Sequence, residues 1–317
     1  MIWVDDLLVA SSNFDLISKV KAELSSKFKM KDFGQINYFL GIEFQFSNGS
    51  VKMHQAKFAE KILAKFGMSE CKTKLVPCDV NIPKIDLSDS EHLTDRDKRV
   101  YQECVGSLIY LTTASRPDIS FVVNKLSQHM SKPTQADMNL AKSVLRYVKG
   151  TIDKGIVYTK VDEALQLVIY SDSDWGSMDD RKSITGYCCK LSPNSALVSW
   201  CSKKQQTVAL SSCESEFMAL SASVQEAIFL KQLLTPLVGE NISPILIYAD
   251  NKGSISLARN PVYHKRSKHI DIRFFFLREH INSGLIVIQY IQSNENMADL
   301  FTHAVPRAKL LKFDLVK

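Results

Sequence analysis

Residues 165–176 read LQLVIYSDSDWG, and this stretch governs how the rest of the chain is interpreted. An apolar run of strand-forming residues leads directly into Asp172 and Asp174, which predicts a buried β-strand that ends in carboxylates. Similar positions are held by Glu216 in an amphipathic helix, Asp250 after the apolar strand PILIYAD, and Asp299 in NENMADLF. Because crowded carboxylates repel one another, a fold that gathers them usually binds a cation. The first hypothesis is therefore a divalent-metal site.

The pattern after residue 165 predicts a mixed sheet with helices on its faces. Three strands come first, LQLVIYSD, SITGYCCKL and LVSWCSKKQ, and a helix over residues 212–234 follows them. The strand ILIYAD, a helix from residue 252, a helix over residues 272–282, the strand LIVIQYI and a final helix from Asn296 complete the order. Sequential strands followed by strand–helix alternation predict an α/β domain.

The first 76 residues predict the order hairpin, helix, hairpin, helix. In MIWVDDLLVASSN, two short apolar runs flank Asp5 and Asp6, which is typical of a hairpin with acids at its turn. Helical periodicity then runs to about Gly34, and residues 36–55 alternate like two strands joined by Asn48-Gly49. A solvated hairpin tip is the simpler interpretation of the two acids. The order suits the closing part of an α+β sheet domain.

Between these two regions, residues 77–98 are rich in Pro, Asp and Ser, which predicts a linker. Helices return with YQECVGSLIYLTTAS and with ISFVVNKLSQHM, which opens on the segment SRPD at residues 115–118. Thr134 and Asp137 then form a predicted capping box at the start of a further helix.

Composition limits the class of protein. With 317 residues and 45% hydrophobic content, the chain should form about two globular domains. Seven cysteines without paired ligand spacing support neither a disulfide framework nor a zinc site. The sequence has no signal pattern and no apolar run long enough for a membrane span, so secretion and membrane insertion are not expected. A net charge of +6 is compatible with a polyanionic partner.

Several motifs in register resemble the Pol polyprotein of copia-type LTR retrotransposons. WVDDLLVAS resembles the Y-x-D-D signature of reverse transcriptases, and FKMKDFGQINYFLGIEF, KFGMSECKTKLVP, VGSLIYLTTASRPDI and AKSVLRYVKGT resemble the segments that follow it. SDSDWG, DDRKSITGY, VSWCSKKQQTVALSSCESEFMAL, IYADNKGSISLARNP, HKRSKHIDIRFFFLREHI and NENMADLFTHAVP resemble the RNase H of that family, in the family's order. The resemblance covers nearly the whole chain.

The resemblance implies a domain organisation. A truncated α+β reverse transcriptase palm is expected at residues 1–76, a linker at 77–100 and a thumb-like helical connection at 101–160. An α/β RNase H-like domain with a mixed sheet is expected at 161–305, and a tail at 306–317. In this family the acids that match Asp5 and Asp6 hold magnesium in the palm. Trp3 replaces the usual Tyr, and the third palm acid of the family lies upstream of the signature, so we expect no polymerase activity from this chain.

The resemblance also implies the chemistry. Metal-dependent hydrolysis of the RNA strand of RNA:DNA hybrids would use two magnesium ions, with manganese as a substitute, and no side-chain nucleophile. Expected partners are the hybrid and other retroelement proteins, in a cytoplasmic virus-like particle or the nucleus. The implied metal ligands are Asp172, Glu216, Asp250 and Asp299. Candidate phosphate contacts, for which a solvated charged loop is the alternative, are Lys203, Lys204, Lys265, Arg266, Lys268, His269 and Arg273.

Two of these acids have acidic neighbours. Asp172 and Asp174 share a strand face, so spacing does not separate them, and the deeper position favours Asp172. Glu216 lies nearer than Glu214 to the centre of the buried helix face. Asp299 in the first turn of a helix could instead interact with the helix dipole.

Two other functions remain as alternatives. One is a non-catalytic nucleic-acid-binding remnant of a retroelement, against which the intact acids argue. The other is a DNA-cutting nuclease or integrase, because one fold hosts several such activities. The stretch resembling reverse transcriptase argues against this second alternative.

Overall fold

The computed structural model describes residues 1–80, 91–160, 163–239, 241–259 and 268–317, and the side chains of residues 268–271 lie outside that description. The chain divides into two compact units, a smaller one over Met1–Phe39 and a larger one over Leu40–Lys317. Among the described residues, no helix has both the length and the apolar character required to cross a bilayer.

The smaller unit contains a hairpin and a helix, as the sequence predicts. The antiparallel strands pair Trp3 with Asp6. Asn13 caps the helix, because its side chain accepts hydrogen bonds from the backbone N–H groups of Asp15 (2.9 Å) and Leu16 (3.2 Å). The helix ends at Lys27, earlier than predicted. The elements are β1 (Ile2–Trp3), β2 (Asp6–Leu7), α1 (Phe14–Lys27) and β3 (Tyr38–Phe39).

The larger unit begins with three antiparallel strands and four helices. The predicted hairpin through Asn48-Gly49 is present, and Gly49 has the positive φ of 70° that such a turn requires. A third strand, which the sequence analysis did not predict, pairs with the second strand of this hairpin. The elements are β4 (Ile42–Ser47), β5 (Ser50–His54), α2 (Ala56–Lys65), α3 (Asp95–Ala114), α4 (Ser120–Ser127), α5 (Gln135–Lys149) and β6 (Gly155–Thr159).

The ends of these helices follow from local sequence. The Thr134–Asp137 capping box at the start of α5 is confirmed. The Thr134 hydroxyl accepts from the backbone N–H of Asp137, and the Asp137 carboxylate accepts from Thr134. Helix α3 starts at Asp95 with Thr94 as its N-cap, inside the segment predicted to be a linker. Apolar residues from α2, α3, α4 and α5 form one core, to which Ile184 also contributes.

A buried ion pair anchors the turn between α3 and α4. Arg116 is 2% exposed and donates from Nε and Nη2 to the two carboxylate oxygens of Asp118, at 3.0 and 2.8 Å. Its Nη1 donates to the carbonyl oxygen of Thr151 (3.0 Å), and the Tyr147 hydroxyl donates to Asp118 (2.7 Å). Because every charge in this network is paired, the desolvation cost of burial is offset.

The remainder of the larger unit is the predicted mixed sheet. Strand order is β11-β10-β7-β8-β9, with β7, β8 and β9 antiparallel and with β10 parallel to both of its neighbours. This is an RNase H-like α/β fold, as predicted. The elements are β7 (Val168–Asp174), β8 (Ile184–Lys190), β9 (Leu197–Lys204), α6 (Ser212–Val238), β10 (Ile245–Ala249), α7 (Lys252–Arg259), α8 (Lys268–Asn282), β11 (Ile286–Tyr290) and α9 (Arg307–Phe313).

Helix α6 packs its apolar face on this sheet. Phe217, Leu220, Val224 and Ala227 recur at helical spacing and are each at most 1% exposed. They contact a cluster that includes Ile169 of β7. This packing fixes the rotation of α6 about its axis, and with it the direction of the polar side chains in its first turns.

The structure after β11 differs from the prediction of a helix that starts at Asn296. Two short 3₁₀ helices, Ser293–Glu295 and Met297–Phe301, come first, and α9 starts only after Pro306, whose extended backbone separates the two segments. Residues 306–317, predicted to be a tail, contain α9, and the backbone of Lys317 exchanges two hydrogen bonds with Gly155 (2.8 and 3.0 Å).

We predict that Asp118→Asn lowers the free energy of unfolding by about 3–5 kcal/mol, because Arg116 would remain buried without a counter-charge. Urea denaturation measures the change. Asp180→Asn is the matched control, since Asp180 pairs with Lys204 at 3.0 Å but is 45% exposed, and it should cost less than about 1 kcal/mol. Equal losses in the two variants would contradict the role assigned to the buried pair.

Candidate metal centre

Two neighbouring parallel strands bring acids to the same edge of the sheet. Asp172 lies near the end of β7, and Asp250 directly follows β10, which pairs with β7 in the register Tyr248↔Tyr170. The carboxyl ends of parallel strands meet at one edge, so the two carboxylates approach each other. Asp299 reaches the same place, and one carboxylate oxygen from each of these three acids lies within 4.8 Å of the others.

Glu216 is the fourth candidate acid, and it lies on α6. Its side chain is buried, and its Oε2 accepts no hydrogen bond from the described residues. Burial is the main cause that raises its pKa well above the usual range, and the charges of Asp172 and Asp250 raise it further. Of the four acids that the family resemblance implied, the structure brings ligand atoms of Asp172, Asp250 and Asp299 within 4.8 Å of one another, and Glu216 remains the fourth candidate.

The neighbour of Glu216 has a different environment. Glu214 caps α6: its carboxylate accepts from the backbone N–H of Leu210 (2.8 Å), and its own N–H donates to the Ser211 hydroxyl (3.2 Å). These contacts satisfy backbone groups at the helix terminus. Glu214 is therefore engaged by the backbone at the start of α6, whereas Oε2 of Glu216 has no hydrogen-bond partner among the described residues.

Asp174 also differs from its neighbour Asp172. It is the last residue of β7, is less buried, and lies outside the group of three acids within 4.8 Å. Burial raises its pKa, while the nearby Ser177 hydroxyl and the charges of His303 and Lys125 lower it. Asp174 thus lies near Lys125 and His303, whereas the charges that act on Asp172 are those of Asp299, Asp250 and Asp174.

The segment that carries Asp299 is attached to the sheet by side-chain contacts. Asn296 is fully buried and donates from Nδ2 to the carbonyl oxygen of Ser171 (3.0 Å), one residue before Asp172. The Thr302 hydroxyl donates to Asp172 Oδ2. These bonds connect the 3₁₀ helix to β7 on either side of Asp299.

Gly186 makes this close approach possible. It pairs with Asp172 across β7 and β8, and a Cβ added to it would lie 2.6 Å from Thr302 Cγ2 and 2.9 Å from the carbonyl oxygen of Ala298. Any larger residue would push the 3₁₀ helix away from the strand. The glycine therefore sets the distance between Asp299 and Asp172.

Burial and mutual repulsion make the cluster a poor place for unpaired negative charge. Burial raises the pKa of Asp172 to about 8, and the charge of Asp299 is the next largest cause. Burial also raises the pKa of Glu216 well above its usual range. For Asp299, burial raises the pKa and the hydrogen bond from Lys309 opposes the increase.

These residues fit a divalent metal ion of the magnesium type. The donors are hard carboxylate oxygens, which magnesium and manganese prefer. The buried Glu216 Oε2 lacks a hydrogen-bond partner among the described residues, as expected for an oxygen that serves as a ligand of a cation. Asp172, Glu216, Asp250 and Asp299 would hold the ion.

The structure describes some of the other predicted site residues. Asp5 and Asp6 are exposed in the β1–β2 hairpin, and within the described part of the chain no third acid, His or Cys groups with them. Lys203 is exposed on β9, Lys204 pairs with Asp180, and Arg273 has a buried Nη1 without a hydrogen bond to any described residue. Lys265 and Arg266, and the side chains of Lys268 and His269, lie outside the described residues.

The sequence analysis did not identify three residues that lie at this site. Thr302 binds Asp172, His303 Nδ1 lies 3.0 Å from the Thr302 hydroxyl, and Lys309 forms an ion pair with Asp299. The spacing of Asp299, Thr302 and His303 within one helical turn indicates that their side chains are neighbours. Lys309 follows Pro306, and no sequence pattern indicates its contact with Asp299.

Comparison with known proteins places the chain in a family. Residues 1–80 match the family model described as reverse transcriptase (RNA-dependent DNA polymerase). The chain is 36% identical over 314 residues to the retrovirus-related Pol polyprotein from transposon RE1 of Arabidopsis thaliana, covering 99% of this chain and 21% of the polyprotein. It is 32% identical over 227 residues to the putative transposon Ty5-1 protein of Saccharomyces cerevisiae, covering 71% of this chain and 72% of that protein. The chain belongs to the copia-type retrotransposon Pol family.

The chain spans about a fifth of the length of the plant polyproteins that it matches. It is also 34% identical to the retrovirus-related Pol polyprotein from transposon TNT 1-94 of Nicotiana tabacum, covering 100% of this chain and 24% of the polyprotein. Among solved structures, the N-terminal RNase H domain of a Mycobacterium tuberculosis protein gives a TM-score of 0.34 at 13% identity, covering 44% of this chain and 91% of that one. RNase H1 of Halobacterium salinarum gives a TM-score of 0.33 at 14% identity, covering 43% of this chain and 94% of that one. These scores are low, and the fold of the copia-type Pol chain is assigned from its strand order.

The raised pKa values predict how stability depends on pH when metal is removed. Since burial raises the pKa of Asp172 from about 4 to about 8, the native state binds more protons than the unfolded state between these pH values. In EDTA, the free energy of unfolding should therefore fall as pH rises from about 4 to about 8, by at least about 1.4 kcal/mol, the value of one pKa unit. Urea denaturation across this pH range measures the slope.

Asp172→Asn should flatten that slope, because the amide does not titrate. Asp180→Asn should leave it unchanged, since the pKa of Asp180 is lowered by Lys204 and Lys182 at the surface. A slope that Asp172→Asn does not alter would contradict the assignment of the raised pKa.

Proposed function

We propose that this chain is a magnesium-dependent ribonuclease H that hydrolyses the RNA strand of RNA:DNA hybrids. The observation that carries the proposal is the cluster of Asp172, Asp250 and Asp299, whose ligand atoms lie within 4.8 Å of one another at the edge of an RNase H-like sheet. The unpartnered Oε2 of Glu216 beside them supports it. Membership of the copia-type Pol family supports the same chemistry.

The protein residues have separate tasks in this reaction. Asp172, Glu216, Asp250 and Asp299 would hold the metal at the end of β7 and β10. Bound magnesium would supply activation of water and stabilisation of the leaving oxygen. The Thr302 hydroxyl donates to Asp172 and thereby fixes the orientation of that carboxylate. Because water would be the attacking group, the reaction needs no side-chain nucleophile.

The proposed substrate is recognised mainly through its backbone. An RNA:DNA hybrid presents 2′-hydroxyls and phosphates in a wide minor groove, so sequence preference should be slight. Of the two candidate lysines on β9, Lys203 is exposed and Lys204 is paired with Asp180, so Lys203 is the proposed phosphate contact. Arg273 is a second candidate, since its Nη1 is buried without a partner among the described residues.

The reverse transcriptase match supports a palm-like origin for the first 80 residues. We propose that Asp5 and Asp6 are palm metal ligands that do not suffice for polymerisation by themselves. Within the described residues they have no third acid beside them. Polymerase activity is therefore no part of the function proposed for this chain.

A cleavage assay on the purified full chain tests the proposed function. The full chain is required because the two regions of the larger unit share contacts, such as the 2.8 Å hydrogen bond from Trp200 Nε1 to the Thr112 carbonyl oxygen. We expect the labelled RNA strand of a hybrid to be cut with Mg²⁺ and to stay intact with EDTA. Duplex DNA should remain uncut. Binding of the hybrid without cleavage would favour the non-catalytic alternative, and cleavage of duplex DNA would favour a DNA nuclease.

Amide substitutions test which acids carry the reaction. Asp172→Asn and Glu216→Gln should each abolish cleavage, and we expect the stability without metal to hold or rise because repulsion is relieved. Asp174→Asn should keep Mg²⁺-dependent cleavage. Glu214→Gln should also keep it and lose about 0.5–2 kcal/mol of stability as a weakened cap. Loss of cleavage in Asp174→Asn or Glu214→Gln, with near-normal activity in its neighbour's variant, would contradict the assignment at that position.

A further inference from the structure

Lys309 brings a cation of the protein itself to the acidic cluster. Its Nζ forms an ion pair with Oδ2 of Asp299 and donates to the carbonyl oxygen of Ser293 at 3.1 Å. The two side chains are only 21% and 7% exposed. A charge-assisted hydrogen bond in such a place is stronger than a pair on the open surface.

The fold holds Lys309 in this position. It lies on α9, whose Leu310 and Phe313 pack against the core formed by the 3₁₀ helix and β8. On the same helix, the Nζ of Lys312 lies 2.5 Å from Glu295 Oε1 and 2.9 Å from the Asn294 carbonyl oxygen. Helix α9 is thus fastened along the segment that leads to Asp299, so Lys309 is positioned by tertiary structure.

We propose that Lys309 competes with Mg²⁺ for Asp299, so that the chain carries an internal cation that neutralises the cluster when the metal is absent. The proposal rests on the proposed function, in which Asp299 is a metal ligand. For Mg²⁺ to bind Oδ2 of Asp299, Lys309 must release that oxygen, and the Ser293 carbonyl oxygen remains available to it. The exchange moves one side chain and leaves α9 in place.

The competition has two linked consequences. Lys309 weakens the binding of Mg²⁺, and by reciprocity Mg²⁺ weakens the contact between Lys309 and Asp299 by the same factor. Without metal, Lys309 stabilises the native chain because it leaves Asp299 paired. Removing the lysine should therefore change metal affinity and metal-free stability in opposite directions.

Calorimetric titration of the full chain with MgCl₂ tests the proposal. Lys309→Met should lower the Mg²⁺ dissociation constant by about tenfold, as expected for the loss of one competing charge-assisted hydrogen bond. In EDTA its Tm should be lower than that of the wild type. Lys312→Met is the matched control: it removes a lysine from the same helix whose acidic partner, Glu295, lies outside the cluster, and it should leave both quantities near their wild-type values. Lys309→Arg keeps the charge and should restore wild-type affinity.

The outcomes separate this proposal from the function on which it rests. If Lys309→Met binds Mg²⁺ as the wild type does, or more weakly, the competition is overturned and the metal centre stands. If the wild-type chain binds no Mg²⁺ at all, the metal centre is overturned as well. Should Lys309→Met fail to fold without metal, Lys309→Gln retains a donor for the Ser293 carbonyl oxygen, and the same two results decide.

Discussion

Repulsion among clustered carboxylates, three of them buried, is the constraint on which the rest of this structure depends. Asp172, Glu216 and Asp299 are each nearly inaccessible to water, and burial raises the pKa of all three. Charges in such a place destabilise the fold unless a cation compensates them. The same property that makes the cluster costly for folding makes it a strong ligand set for a divalent ion. Stability and the proposed metal binding thus act against each other at this one site.

The surrounding structure serves to hold the acids together despite that repulsion. The parallel pairing of β7 with β10 aligns Asp172 with Asp250, and the absence of a side chain at Gly186 lets the 3₁₀ helix press against β7. Asn296 then fixes that helix to the strand, and the apolar face of α6 sets the direction of Glu216. Each element contributes ordinary packing or hydrogen bonding, and together they impose an arrangement that the carboxylates alone would not adopt.

Much of this arrangement could be predicted from the sequence because it follows from local patterns. Alternating and apolar runs predicted β7 to β11, helical spacing predicted the buried face of α6, and depth in the strand favoured Asp172 over Asp174. Contacts between distant segments could not be predicted. Strand β6 is a five-residue run that becomes a strand only by pairing with β5, about a hundred residues earlier in the chain. Lys309 reaches Asp299 only because α9 folds back after Pro306.

Anomalous diffraction from crystals of the full chain grown with Mn²⁺ tests the central claim most directly. Manganese accepts the same oxygen ligands as magnesium and can be located by its own scattering. The account predicts an anomalous peak bound by the carboxylates of Asp172, Glu216, Asp250 and Asp299, with Lys309 displaced from Asp299. A structure in which these four carboxylates bind no ion, with Lys309 still paired to Asp299, would contradict it.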